Sequence, residues 1–313
     1  MKKNRHNKPG QRSFSDYLIL TAKGLCMGAS DVVPGVSGGT MALILGIYEE
    51  LIGAINSFDI KCLQYLITLK IRLVLDKIPW RFLFSLCLGI LLAILCLSKG
   101  LSWLLQNEPV FIWSFFLGLI LASALSVGRR VEQWMPSTWL CLFGGISGAY
   151  LLIGLVPVST PNAPWFLFLS GAIAICAMIL PGISGSFILV LLGKYQFVLD
   201  AVNKRDFFVL FMVAAGACLG IVLFSHLLGR LLKKHHDLMI ALLTGFMLGS
   251  LRKIWPWKET YEGLVEIDGH ITPIYQSNIL PVQWNTEVLI AFFLILTGIL
   301  TVFLLDRMAN RIK

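Results

Sequence analysis

The chain has 313 residues, 57% of them hydrophobic and 14% charged, and a formal net charge of +9. That composition lies far outside the soluble globular range, so it excludes a soluble domain and leaves a polytopic membrane protein with room for about eight membrane segments. Nucleic acid is not an expected partner of such a chain.

In chain order, residues 1–12 are basic and lead into an apolar run that Asp16 and Lys23 interrupt. A cleaved signal peptide needs a longer unbroken apolar core, so the start reads as a retained cytoplasmic tail. Region 14–48 is apolar but broken near its centre. Residues 57–79 alternate apolar and basic positions, which predicts an amphipathic helix on the cytoplasmic face. Three spans of ordinary length follow at 82–100, 110–127 and 137–156. A second broken region, 165–200, precedes spans at 207–229, 237–251 and 286–305. Between the last two, residues 252–285 carry Pro256, Gly263, Gly269, Pro273 and Pro281 and read as a long periplasmic loop. The seven cysteines show no Cys-x-x-Cys spacing and read as small packing residues, not disulfides or metal ligands.

The two broken regions match each other. Asp31-Val32-Val33-Pro34-Gly35-Val36-Ser37-Gly38-Gly39-Thr40 returns 147 residues later as Leu180-Pro181-Gly182-Ile183-Ser184-Gly185-Ser186, and the match continues from Leu45, Gly46 and Tyr48 to Leu192, Gly193 and Tyr195. At an offset of 127, Gly89, Gly118 and Ser123 fall on Gly216, Gly245 and Ser250, so the chain reads as a duplication. In the first region about 15 residues before the break give roughly 22 Å of helix and about 10 after it give roughly 15 Å, against a hydrocarbon core of roughly 30 Å. Neither arm crosses alone. If both regions are hairpins, the cytoplasmic side carries 18 Lys and Arg against 7 outside; if each crosses once, the count is 12 against 13. The positive-inside rule therefore favours hairpins, although two full crossings per region would give the same parity. Three spans per half is an odd number, so the second half is expected upside down. The predicted fold is an all-α polytopic membrane protein built as an inverted repeat, residues 1–156 and 157–313. Each half is a re-entrant helical hairpin plus three transmembrane helices, with both termini cytoplasmic.

A Pro-Gly break frees backbone groups that lipid cannot satisfy, and the half-helix beyond it begins with unpaired N–H groups at the positive end of its dipole. Ser37, Gly38, Gly39 and Thr40, with Ser184, Gly185 and Ser186, are thus candidate ligands for one anion held between inverted copies. The plainer reading is that Pro and Gly make the turn and each Ser caps its own half-helix. Asp31, whose counterpart is Met178, is a candidate for proton or cation coupling, a partner for a base such as Lys23, or a cap. Arg81 and Arg205 precede the spans after the hairpins and could cover a phosphate with a bidentate guanidinium, or simply anchor helix ends. Arg129-Arg130 and Arg252-Lys253 end corresponding spans, with the anchor reading favoured. His226 reads as a packed polar residue. His235-His236 lack further ligands, so no metal and no cofactor are expected.

The two motifs, with Gly46-Ile47-Tyr48 and Gly193-Lys194-Tyr195 after them, resemble those of the bacterial PopT-type polyprenyl-phosphate translocases, once known only as a domain of unknown function. The resemblance covers nearly the whole chain. It implies return of undecaprenyl phosphate from the outer to the inner leaflet of the bacterial cytoplasmic membrane, with a lipid-linked phosphate as substrate and membrane lipids as surroundings. It implies a transporter rather than an enzyme, with proton or sodium coupling left open. Two rivals remain at this point. Membrane undecaprenyl-pyrophosphate phosphatases also carry Pro-Gly-x-Ser hairpins, but follow the Ser with Arg, where Gly38 and Gly185 stand here. Their Glu-rich motif has no match except Glu262 and Glu266, in the outer loop. An ion-coupled carrier of a small soluble anion is the other. The oligomeric state is not legible.

Overall fold

A computed structural model describes residues 12–33, 36–267, 270–281 and 283–312. The Pro34-Gly35 pair and most of the basic tail lie outside the described residues. The first half runs α1 (Phe14–Val32), α2 (Gly38–Ile44), α3 (Tyr48–Asn56), α4 (Ile60–Ile67), α5 (Ile71–Lys77), α6 (Trp80–Asn107), α7 (Pro109–Gly128) and α8 (Pro136–Ile153). The second runs α9 (Pro164–Ile179), α10 (Gly185–Leu191), α11 (Tyr195–Lys204), α12 (Phe207–Lys234), α13 (His236–Ile254), the strands β1 (Lys258–Ile267) and β2 (His270–Asn278), and α14 (Thr286–Ile312).

Local chemistry sets the helix starts. Ser13 and Asp16 form a reciprocal capping box on α1. Pro109, Pro136 and Pro164 each occupy the first turn of their helices, where a missing N–H is harmless. The Asp206 carboxylate accepts from the N–H groups of Phe208 and Val209, both at 3.2 Å, at the start of α12. Five helices, α6, α7, α8, α12 and α14, are long and apolar enough to cross a membrane. The 28 residues of α6 and of α12 span about 42 Å, more than the hydrocarbon needs.

Burial sorts these helices into a centre and a rim. Two-thirds of the apolar window of α7 (67%) is buried, against 17–28% for the other four spans, so α7 is a central helix. It packs against α13, whose Ile240, Leu243 and Met247 join Ile120 of α7 and Leu43 and Ile44 of α2 in the main core. On the rim, Phe84, Phe211 and Phe293 are 63%, 64% and 65% exposed, and Leu95, Leu223 and Leu300 stand out beside them. Water would not tolerate so broad an apolar surface; lipid solvates it. The protein is a multi-pass membrane protein, predominantly helical.

The contacts recur in step with the repeat. Helix α1 packs along α6 as α9 packs along α12, while α8 seats on α13 and α14 on α7. Glycines let these backbones touch: a Cβ on Gly89 would lie 2.0 Å from the Thr21 carbonyl oxygen, and one on the corresponding Gly216 would lie 1.8 Å from that of Phe168.

Three local features depart from the sequence expectation. The arm after the first break is a seven-residue helix, about 10 Å long rather than 15 Å, because Gly46 (φ 68°) turns the chain and α3 leaves at 116° to α2. The second arm ends the same way, at Gly193 (φ 62°), with α11 at 105° to α10. Residues 57–79 form two short helices instead of one, parted at Leu69, which adopts φ 54°. Between α13 and α14, β1 and β2 pair antiparallel with Lys258 opposite Asn278, adding a two-stranded ribbon to the all-α plan. Thr260, Tyr261, Val265, Ile267, Ile271, Thr272 and Tyr275 give that stretch its strand preference.

Replacing Gly216 by Val should force α9 and α12 apart and lower stability by about 1–3 kcal/mol, an overpacking penalty. A detergent melt should show a clear fall in Tm. Gly144→Ala, where a Cβ meets nothing within 4 Å, should leave it unchanged or raised.

Candidate functional site

The two breaks touch. Ser37 Oγ donates to the Met178 carbonyl at 3.0 Å, the Gly182 N–H donates to Thr40 Oγ1 at 3.0 Å, and Tyr48 Oη donates to the Ile179 carbonyl at 3.2 Å. Each bond joins residues more than 130 positions apart in the chain. Backbone groups freed by the second break are thus satisfied by side chains of the first, away from lipid. Close approach depends on Gly39, where a Cβ would lie 2.6 Å from the Ile179 carbonyl oxygen.

The copies are not equivalent. At the first break the exposed amides of α2 are already taken: the Asp31 carboxylate accepts from the Gly38 N–H at 2.7 Å, and Ser37 Oγ accepts from the Gly39 N–H at 3.1 Å. Ser37 and Thr40 are 1% and 0% exposed. From the last turn of α1, the Asp31 side chain caps the start of α2, and Ser37 is both a cap and a strut between breaks. Lys23, two turns before Asp31, donates to the Leu45 carbonyl at 2.9 Å, satisfying the far end of α2. Thr160 Oγ1 does the same for Leu192 at the far end of α10.

The second break is open. Ser184 and Gly185 are half-buried and Ser186 is exposed. The two hydroxyls lie 2.7 Å apart, and Ser184 Oγ accepts a long bond, 3.4 Å, from the Phe187 N–H. Polar atoms that the first copy spends on internal contacts are here presented to the surroundings.

Two lysines that sequence reasoning treated as anchors or simple outside charge belong to this edge. Helix α13 lies directly against the break: a Cβ on Gly182 would lie 2.8 Å from the Phe246 carbonyl oxygen and 2.9 Å from Ser250 Oγ. Lys253 is three residues beyond Ser250 and so on the same helix face. Its ammonium sits over the Phe187 ring, 5.4 Å from the centroid. Lys258 Nζ lies over Trp113 at 5.1 Å and donates to the Lys253 carbonyl. Burial, and secondarily the charge of Lys253, pull the Lys258 ammonium down to about 8. The available signal was the spacing of Lys253 from Ser250, the counterpart of Ser123.

Arg81 and Arg205 are placed elsewhere. Both are exposed at helix ends; Arg81 stacks over Trp80 at 5.2 Å, and Arg205 closes α11 in a left-handed conformation with φ 57°. Among the described contacts neither reaches a break residue. Of the other basic pairs, Arg252 lies over Tyr150 at 4.4 Å and donates to its carbonyl at 3.1 Å, bordering a cavity of ≈ 430 Å³ with Trp255 and Asn278. His226 Nδ1 is 2.8 Å from the Val222 carbonyl oxygen, a local helical contact. His236 is 3.6 Å from Glu49, and Arg12 pairs with Glu50 at 2.8 Å, so both carboxylates at the start of α3 have cationic or ionisable neighbours. No cluster of three His, Cys, Asp or Glu side chains suited to a metal occurs among the described residues.

With this geometry in view, the relatives are informative. The family described as VCA0040-like, undecaprenyl phosphate translocase-like, matches residues 27–272. A protein of Vibrio cholerae serotype O1 named polyprenyl-phosphate transporter is 42% identical over 302 residues, 95% of this chain and 98% of that protein. A Staphylococcus aureus protein of the same name is 32% identical over 260 residues, 76% of this chain and 86% of its own length. No solved structure matches. The matched region contains both breaks and the two lysines beside the second, and on this evidence the chain belongs to the undecaprenyl phosphate translocase-like family.

Proposed function

We propose that this protein carries a polyprenyl phosphate across the bilayer, and that its working cargo is undecaprenyl phosphate returning from the outer to the inner leaflet of the bacterial cytoplasmic membrane. The observation that carries this reading is the direct bonding of two helix breaks, Ser37 to Met178 and Gly182 to Thr40, inside an apolar helical frame. The names of the Vibrio and Staphylococcus relatives support the cargo. A charged headgroup cannot shed its hydration into hydrocarbon without a large penalty, so the protein's task is a polar path for the phosphate while the prenyl tail stays in lipid.

In this reading the phosphate is received at the open copy, where the Ser184 and Ser186 hydroxyls and the Gly185 amide can donate to it. It is handed to Ser37, Gly38, Gly39 and Thr40 when the inter-break bonds exchange. Arg81 and Arg205 then act as interfacial anchors. The repeated order of hairpin and three spans supports an inverted repeat, residues 1–156 and 157–313, with cytoplasmic termini and rocking of one half against the other. Asp31 supplies coupling. While ionised it holds the Gly38 N–H and repels a phosphate; protonation, or a cation such as sodium drawn to the carboxylate, weakens that hold and opens the first copy. No cofactor enters the scheme.

Two variants test this in proteoliposomes loaded with labelled undecaprenyl phosphate. Ser184→Ala with Ser186→Ala should slow translocation about tenfold or more, since each hydrogen bond to a charged group is worth about 1.5–3 kcal/mol. Unchanged transport would remove the second break from the site. Asp31→Asn keeps an oxygen for the Gly38 N–H but loses the charge. It should retain exchange without a gradient and lose gradient-driven accumulation; normal accumulation in this variant would rule out coupling through Asp31.

A further inference from the structure

We propose that Lys253 and Lys258 form a cationic pair that receives the phosphate monoester of the lipid beside the second break, before the headgroup enters the site. This deepens the transport reading and rests on it. The geometry begins with Ser250, which touches the break at Gly182 and puts Lys253, one helical turn further, on the same face of α13. The Lys253 ammonium has no carboxylate or carbonyl acceptor among the described contacts; it lies over Phe187, the residue after Ser186. Lys258 comes from β1, donates to the Lys253 carbonyl and lies over Trp113 of α7. Two half-buried ammoniums that repel each other, with no described carboxylate bonded to either, form an arrangement that an incoming dianion relieves.

The aromatic partners explain how the arrangement persists without a ligand. The faces of Phe187 and Trp113 hold the cations electrostatically yet offer no full counter-charge, so a phosphate oxygen outcompetes them. Trp113, Phe187 and Lys253 stand on three different elements, α7, α10 and α13, so the pair also reports their relative position. Depression of the Lys258 ammonium to about 8 agrees with a pair lacking its anion and supplies a chemical handle.

The test uses the full chain in nanodiscs. Binding of labelled undecaprenyl phosphate, the uncharged polyprenol and inorganic phosphate is measured for the native chain, Lys253→Gln, Lys258→Gln, Lys253→Arg, and Ser184→Ala with Ser186→Ala. In parallel, acylation of Lys258 at pH 8 is followed by peptide mapping with and without each probe. We expect each Gln variant to bind the lipid phosphate about tenfold more weakly, the loss of one charge-assisted contact. Lys253→Arg should stay within about threefold, polyprenol binding should not change, and lipid phosphate should protect Lys258 from acylation.

If the native chain binds the lipid phosphate and the serine variant weakens it, while both Gln variants bind normally and Lys258 is unprotected, the lysine pair is wrong and the transport site stands. If the lipid phosphate does not bind but inorganic phosphate protects Lys258 in the native chain and not in Lys253→Gln, the pair stands as a phosphate site and the lipid reading fails. If neither probe binds or protects, both fall. Protection in the native chain and the Arg variant decide the matter even if a Gln variant misfolds.

Discussion

A helix that stops within an apolar frame leaves amides and carbonyls without water to satisfy them, and the contact between the two breaks answers that constraint. The protein solves it by making two interruptions satisfy each other. Ser37, Thr40 and Tyr48 reach across to Met178, Gly182 and Ile179, and outlying donors, Lys23 and Thr160, cover the far carbonyls of the two short helices. The central helices α7 and α13 wall this arrangement off from lipid, while α6, α12 and α14 turn their apolar faces outward.

Mutual satisfaction also makes the copies different. One break spends its polar atoms on the other, with Asp31 holding the Gly38 N–H. The other keeps Ser184 and Ser186 at an accessible edge with Lys253 nearby. Two matched motifs thus stand in two different environments, one closed and one open.

Much of this was legible in residue order. Pro-Gly-apolar-Ser-Gly, repeated at a fixed offset within apolar runs, announces two breaks, and a hydropathy profile with few charges announces the long helices around them. What order alone conceals is which donors meet which acceptors. Ser37 carries the same motif position as Ser184, yet one is entombed against the Met178 and Leu180 carbonyls and the other is open. Lys253 and Lys258 looked like ordinary flanking charge since their partners, Phe187 and Trp113, are distant in the chain. The division of 57–79 at Leu69 was hidden for another reason: a left-handed leucine has no sequence signature. Between α13 and α14, prolines and glycines masked a strand preference that emerges only when the two runs pair.

The glycine seats of α1 on α6 and of α9 on α12 have a mechanical meaning. Where main chain rests on main chain, no cushion of side chains is left between the helices, so each couple packs as one unit. The same seating joins α7 to α14 at Gly118 and α8 to α13 at Gly245, so bulkier side chains at any of these four seams would wedge the frame open.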